Sequence, residues 1–253
     1  MNQDRRSRIV ELVEQKNTLS NAEIIETFGV SIETVRRDLA YLEERGFLER
    51  VYGGCVRKRF MSVEDSYVNR EKQNEEGKQA VGREAQNFIE NGSAVFFDAG
   101  TTAMAVARQV DPNKGVIAFT NSLRTAIELS DKTKMVIMPG GEMRGEEFVL
   151  AGLITQANMN KFNIGTAIIC TGGITEDMVT DFIAIEADLR SQIAENAEKV
   201  IVVADSSKIG VRAMCNVCET SSIDVLITDE KAPKDVLKKI EAKGVKVVVA
   251  KIK

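Results

Sequence analysis

Histidine and tryptophan are absent from this 253-residue chain, and proline occurs only three times. Without histidine there is no Ser-His-Asp or Cys-His nucleophile, no imidazole metal ligand and no imidazole proton shuttle. Four cysteines (Cys55, Cys170, Cys215 and Cys218) are too few to staple a fold of this length. The pair Cys215-x-x-Cys218 lacks the second pair or the histidines that a structural zinc site needs, so it reads as two small apolar residues near a strand or loop. No apolar run approaches the ~20 residues that span a bilayer, and Met1 to Arg5 is polar rather than a secretory leader. These absences predict a cytoplasmic, reduced, unanchored protein with no metal and no cofactor.

A large charge excess is also missing. The net charge is −4, which excludes a uniformly basic nucleic-acid binder but not a small basic module on an acidic body. What is present is an ordinary globular composition, 43% hydrophobic and 28% charged, long enough for one large domain or two smaller ones. Residues 1–60 carry 11 Lys/Arg against 10 Asp/Glu, and the remainder carries 23 against 28. The acidity therefore belongs to the second part. Texture changes at the same place, from helical periodicity to alternating apolar strands and helices, across a polar stretch. The expected organisation is a first domain at 1–58, a linker at 59–75 leading into a helix, and a second domain at 76–253.

In the first sixty residues Ile9, Leu12 and Val13 form an i, i+3, i+4 stripe on a predicted helix over 5–16. Ser20 with Glu23 is a capping-box pair opening a short helix that ends at Gly29. Ser31 caps a third helix whose buried stripe is Val35, Leu39 and Leu42, and Gly46 is placed to end it. Two helices joined by a turn of this length make a helix-turn-helix, with the third helix as the one entering the major groove. Its N-terminal end offers Ser31, Glu33, Thr34, Arg36 and Arg37: hydroxyls for phosphate, arginines for guanine or phosphate. The stretch 47–57 alternates apolar residues around Gly53-Gly54 and reads as a hairpin, hence a wing, with Arg50, Arg57, Lys58 and Arg59 able to reach DNA. A solvated helical interaction module is the alternative, whereas an RNA-binding reading lacks an aromatic platform.

From residue 94 a grammar repeats: an apolar strand, a short polar or Gly-rich loop, a helix. Strands are predicted at 94–97, 116–119, 135–138, 167–170, 200–203, 225–227 and 245–249. Such continuously apolar strands belong to a parallel sheet covered on both faces. Ligands of such sheets bind beyond the C-terminal strand ends. There this chain collects Asp98, Gly100, Thr101, Thr102, Thr120, Asn121, Ser122, Gly141, Gly172, Gly173, Asp181, Glu186 and Lys208. Hydroxyls, helix N-termini and a lysine suit an anion, while the carboxylates suit sugar hydroxyls. A sugar phosphate is the natural candidate.

Ser31-x-x-Thr34-Val35-Arg36-Arg37-Asp38-Leu39, followed by Gly46-x-Leu48-x-Arg50-Val51-Tyr52-Gly53-Gly54, resembles the DNA-binding signature of DeoR-type bacterial transcriptional regulators, with Tyr52 where the family often has His. Asp98-Ala99-Gly100-Thr101-Thr102, Thr120-Asn121-Ser122, Gly172-Gly173, Thr180-Asp181, Glu186-Ala187 and Asp205-Ser206-Ser207-Lys208 resemble the sensor domain of the same family, with Met178 where a Gly is usual. The resemblance implies a winged helix-turn-helix plus an α/β sensor related in fold to ribose-5-phosphate isomerase and the CoA-transferase group. It implies that the Thr-rich loop, the Thr-Asn-Ser loop and Lys208 hold phosphate while Asp181 and Glu186 lie on the sugar side. The function it implies is a regulator, as a rule a repressor, of a sugar operon, acting as a homodimer or homotetramer on an operator. An isomerase with Glu186 as base is the competing reading.

Overall fold

Ile9 and Val13 on α1 (Asn2–Lys16), Ile24 on α2 (Asn21–Phe28) and Val35, Leu39 and Leu42 on α3 (Ile32–Glu44) are all buried in one small core. The computed structural model describes residues 2–44, 47–57, 60–61, 64–145 and 147–253. The Gly46 cap, Lys58, Arg59 and the side chain of Arg57 lie outside the described residues. Ser20 and Glu23 form the capping box in both directions, and Gly29 closes α2 in the left-handed conformation at φ 62°. The hairpin consists of β2 (Leu48–Val51) and β3 (Gly54–Arg57), and it is completed by a strand not read from sequence, β1 (Thr18–Ser20), which pairs with β3. The turn is Tyr52–Gly53 rather than Gly53-Gly54. Gly53 takes φ 86°, while Gly54 already pairs with Val51 and lies so close to β1 that a Cβ would sit 2.2 Å from the Leu19 carbonyl.

The chain forms two compact units, Met1–Glu64 and Asp65–Lys253. Within the stretch expected as a linker, α4 (Tyr67–Lys72) buries Tyr67 in the second unit, and α5 (Glu75–Ala85) begins there too.

The second unit is built on seven parallel strands in the order Lys246–Ala250, Val225–Asp229, Val200–Val203, Thr166–Ile169, Ala94–Phe97, Ile117–Phe119, Met135–Ile137. All seven correspond to the apolar runs of the sequence. Alternate residues feed two cores, as the two-residue period of a strand requires. Val95, Phe97, Ile168, Ile201 and Ile227 meet α5, α6 (Thr101–Arg108) and α7 (Leu123–Leu129). Phe96, Ile169, Val202 and Leu226 meet α8 (Leu153–Met159), α9 (Ala184–Asn196) and α10 (Lys234–Glu241). Each fully buried Val, Leu, Ile or Phe contributes about 1.5–3 kcal/mol of transfer free energy, so both strand faces are used. No described helix is long and apolar enough to cross a membrane.

Strand order fixes where a ligand can enter. From Ala94–Phe97 the chain winds outward one way through Met135–Ile137. It then returns to lay Thr166–Ile169 on the other side of Ala94–Phe97 and winds outward the opposite way. The two loops that leave these central strands flank the topological switch point, the place where open α/β sheets take their ligands. Antiparallel additions wall it: the hairpin Glu142–Arg144/Val149–Ala151, and a small sheet of Gly173–Ile174, Met178–Asp181 and Cys215–Glu219.

Candidate DNA interface and effector site

On α3 the Arg36-Arg37-Asp38 run divides cleanly. Arg36 and Arg37 are both exposed, whereas Asp38 is buried. Asp38 accepts hydrogen bonds from Arg5 Nε and Arg6 Nε of α1, each at 2.7 Å, and Arg6 lies over the Tyr41 ring at 3.7 Å. The carboxylate thus clamps α1 to α3 and fixes the azimuth at which the two arginines leave the helix. Ser31 Oγ accepts the Thr34 N–H at 3.3 Å and lies 3.2 Å from Thr34 Oγ1, so both hydroxyls gather at the first turn beside exposed Glu33. In the hairpin, Tyr52 is fully exposed at the tip. Arg50 is partly committed within the unit: its Nε lies 3.0 Å from Glu43 Oε2, and its N–H donates to Glu43 Oε1 at 2.9 Å.

In the second unit the switch-point crevice is organised by a residue the sequence reading did not single out. Arg190, on α9 and buried, lies 2.6 Å from Asp98 Oδ2 through Nε, 2.7 Å from Asp181 Oδ2 through Nη1 and 3.3 Å from Glu186 Oε2 through Nη2. The other oxygen of Glu186 is 3.2 Å from Arg144 Nη1 on the 142–151 hairpin. Asp98 also accepts the N–H groups of Ala99 (2.7 Å) and Cys170 (2.8 Å), tying the two central loops together. Asp181 accepts the N–H groups of Phe182 (2.7 Å) and Ile183 (3.2 Å) ahead of α9. All three carboxylates expected around a sugar are therefore gathered at one place, and all three are engaged by one guanidinium. The i, i+4 spacing of Glu186 and Arg190 was the signal that could have revealed it.

Burial sets the electrostatics. It pushes the Glu186 carboxyl up to about 7, outweighing the pull of Arg190, with Asp181 and Asp98 adding to the rise. Burial raises Asp98 as well, against Arg190 and two backbone donors. Arg190 is desolvated too, yet its three carboxylates outweigh that cost and hold its pKa well above the ordinary value.

The phosphate-side expectations divide. Gly100, at φ 146°, leads into α6, and a Cβ there would meet Cys170 Sγ at 2.7 Å. It offers no side-chain cap to the first turn. Ala103 N–H is taken by Cys170 Sγ at 3.2 Å and Met104 N–H by the Gly100 carbonyl at 2.9 Å. Thr101 and Thr102 hold the first two helical positions, where N–H groups have no acceptor within the helix. The Thr120-Asn121-Ser122 loop is largely self-engaged. Thr120 Oγ1 accepts the Ser122 N–H at 3.1 Å, Ser122 Oγ accepts the Thr125 N–H at 3.2 Å, and Asn121 Nδ2 donates to the Leu150 carbonyl at 3.2 Å. Lys208 Nζ lies 5.5 Å from the Phe182 ring centre, and that ring fills the space a Gly172 Cβ would need, 2.8 Å away. Gly173 packs on Val211, whose carbonyl lies 2.5 Å from a built Cβ, and Gly141 packs on Thr155. Close packing accounts for these three glycines.

A second cluster lies beside Lys208, where Asn74 and Lys78, not singled out in the sequence, join Asp205 and Ser206 of the quoted motif. Asn74, at φ 47°, points Nδ2 at Asp229 Oδ2 (3.0 Å), Ser206 Oγ (3.2 Å) and Asp205 Oδ1 (3.3 Å). Lys78 is buried and 4.0 Å from Asp205 Oδ2. Burial pushes the Lys78 amine down, with the Asp205 charge opposing. Burial alone would raise Asp205, but Lys78, Lys208 and the Ser207 donors prevail and hold it below the ordinary carboxylate range. Arg70, paired with Glu147, adds its charge to that felt by Lys78, and Arg124 lies over the rings of Tyr67 (4.6 Å) and Phe148 (4.8 Å).

The chain matches the family model of the DeoR-like helix-turn-helix domain over residues 5–59 and that of the DeoR C-terminal sensor domain over residues 73–230. It is 37% identical over 246 residues to the HTH-type transcriptional regulator GlpR of Haloferax volcanii, covering 97% of this chain and 96% of that one. It is 33% identical over 235 residues to the glycerol-3-phosphate regulon repressor of Escherichia coli, covering 92% and 93%. Similar solved structures include a ribose 5-phosphate isomerase A of Methanocaldococcus jannaschii, with TM-score 0.39, 16% identity, and coverage of 54% of this chain and 55% of that one.

Proposed function

Since the chain belongs to the DeoR family of transcriptional regulators, we infer that it represses a sugar-metabolism operon and is released from its operator by a phosphorylated sugar. The observation that carries this reading is that one chain holds both halves of such a device. A helix-turn-helix clamps its core-facing Asp38 and leaves Arg36 and Arg37 outward, and a parallel sheet opens at its switch point onto cations, hydroxyls and helix-end N–H groups. In this reading Ser31, Thr34, Arg36 and Arg37 engage the major groove beside Glu33. The wing (Arg50, Tyr52, Gly53, Gly54 and Arg57) meets the flanking backbone. Thr101, Thr102, Ser122 and Lys208 hold the phosphate, while Asp98, Asp181 and Glu186 face the sugar around Arg190. Regulators of this type read two half-sites about 34 Å apart, so the working form is a homodimer or homotetramer.

An isomerase reading is not adopted. Relatives that match over nearly the whole chain are named as regulators, and the DNA-binding half has no part in an isomerisation.

Two substitutions test the assignment of halves. Arg37→Ala is expected to weaken binding to DNA from the protein's own upstream region tenfold or more and leave sugar-phosphate affinity unchanged. Lys208→Ala is expected to leave DNA affinity intact and blunt the response to the effector. An unchanged response in Lys208→Ala refutes its role at the phosphate.

A further inference from the structure

The chain passes from residue 64 into the second unit through α4, and α4 with its junction to α5 is tied to three separate walls of the candidate effector site. The first tie is through Lys78. Its buried amine donates to the carbonyls of Arg70 and, at 2.6 Å, Gln73, the last turn of α4, while the same amine faces Asp205, which opens the Lys208 turn. Asn74, in the α4–α5 junction, adds hydrogen bonds to Asp205, Ser206 and Asp229. The second tie is Arg70 to Glu147, on the hairpin that also supplies Arg144 to Glu186. The third is Glu71 to Arg108 at 2.9 Å, on the helix whose first turn holds Thr101 and Thr102. Every tie joins residues 37 to 155 positions apart or reaches through one that does, so each depends on the tertiary arrangement of the site loops.

We propose that α4 is the element that reads effector occupancy. An anion arriving beside Lys208 shares the cation that now helps to balance Asp205. Asp205 is the partner of Lys78, and Lys78 holds the end of α4. A ligand drawn toward Glu186 likewise bears on Arg144 and the hairpin that carries Glu147. Both movements converge on one short helix, six residues long, next to the unit boundary. A ligand shifts an equilibrium only by its differential interaction with the two states, and these ion pairs are where that difference is registered. The proposal rests on the repressor reading and adds its route of regulation.

The test uses the full chain, DNA from its own upstream region, and a panel of triose, pentose and hexose phosphates with inorganic phosphate alongside. DNA affinity with and without each compound is measured for the wild type and for Glu147→Gln, and amide hydrogen exchange of residues 67–72 is followed in both. In the wild type, the compound that weakens DNA binding is expected to change exchange across 67–72 at least threefold. In Glu147→Gln, affinity for that compound and for DNA alone is expected to stay within threefold. The ratio of DNA affinities without and with the compound is expected to fall below a third of its wild-type value. Lys78→Gln is run in parallel and should behave alike if it folds; Glu147→Gln, at a less buried position, decides the matter. A ratio above a third of wild type, or unaltered exchange in α4, overturns the proposal while leaving the repressor reading standing. If no compound alters DNA binding of the wild type, the repressor reading fails and takes the proposal with it.

Discussion

Replacing Arg190 by methionine removes the guanidinium on which Asp98, Asp181 and Glu186 converge and keeps an unbranched stem in place of the arginine's aliphatic part. Deleting one member of a buried ion pair strands the other in a poorly solvating site and costs about 3–5 kcal/mol. Here three carboxylates are stranded, and among the described residues only Glu186 keeps a second cation, Arg144. For a unit of this size the loss corresponds to roughly 6–20 °C in Tm. The sign of its pH dependence follows from linkage. Without Arg190 the folded-state pKa values of Asp98 and Glu186, already raised by burial, rise further above their unfolded values. The groups then favour the folded state when protonated, and that contribution is lost as pH rises through the folded pKa values. The deficit is therefore largest at pH 8 and shrinks toward pH 5. Urea unfolding followed by far-UV circular dichroism at both pH values measures it, since the chain has no tryptophan to report. A deficit below about 1 kcal/mol at pH 8, the scale of an exposed pair, or one equal at the two pH values, refutes the reasoning.

Other perturbations reach different links. Asp38→Asn weakens two charge-assisted hydrogen bonds between α1 and α3 and should cost the first unit about 1.5–3 kcal/mol, read as earlier loss of DNA binding on warming with the sensor transition unmoved. Glu186 titrates near 7 when folded and 4.5 when free, so wild-type stability should rise as pH falls from 8 to 6. Glu186→Gln should flatten that rise in a calorimetric series. Gly100→Ala places a methyl against Cys170 at a φ of 146°, costing about 1–3 kcal/mol of overpacking. Its sensor transition should drop by several degrees, and an unchanged one contradicts the described loop.

Much of this was legible in the sequence, for identifiable reasons. The seven strands declared themselves because burial on both faces demands uninterrupted apolar runs, and α2 and α3 because Ser20, Glu23, Gly29 and Ser31 do local chemistry at helix ends. β1 was not legible. Thr18-Leu19-Ser20 is too short to show a period, and it becomes a strand only because β3 presents Gly54, Cys55 and Val56 to pair with it. At the site, the polar residues at the strand ends were visible as types but not as partners. The i, i+4 spacing ties Arg190 to Glu186, but Asp98 and Arg190 are 92 positions apart, so nothing local announces that the other expected sugar ligands converge on the same guanidinium. Asn74 was hidden in a stretch whose polarity suggested a linker, and Lys78 in the polar helix that follows it. Their partners, Asp205 and Asp229, lie more than 120 positions onward.

The central claim is that one chain binds operator DNA and releases it when a sugar phosphate occupies the switch-point crevice. Its most direct test is equilibrium binding of the full protein to its own upstream DNA across a salt series, with and without each sugar phosphate. The account predicts sequence-dependent binding that weakens with rising salt, as phosphate contacts by cations require, and a selective further loss with one sugar phosphate. No binding at low salt, or binding indifferent to every sugar phosphate while one of them is turned over, would contradict it.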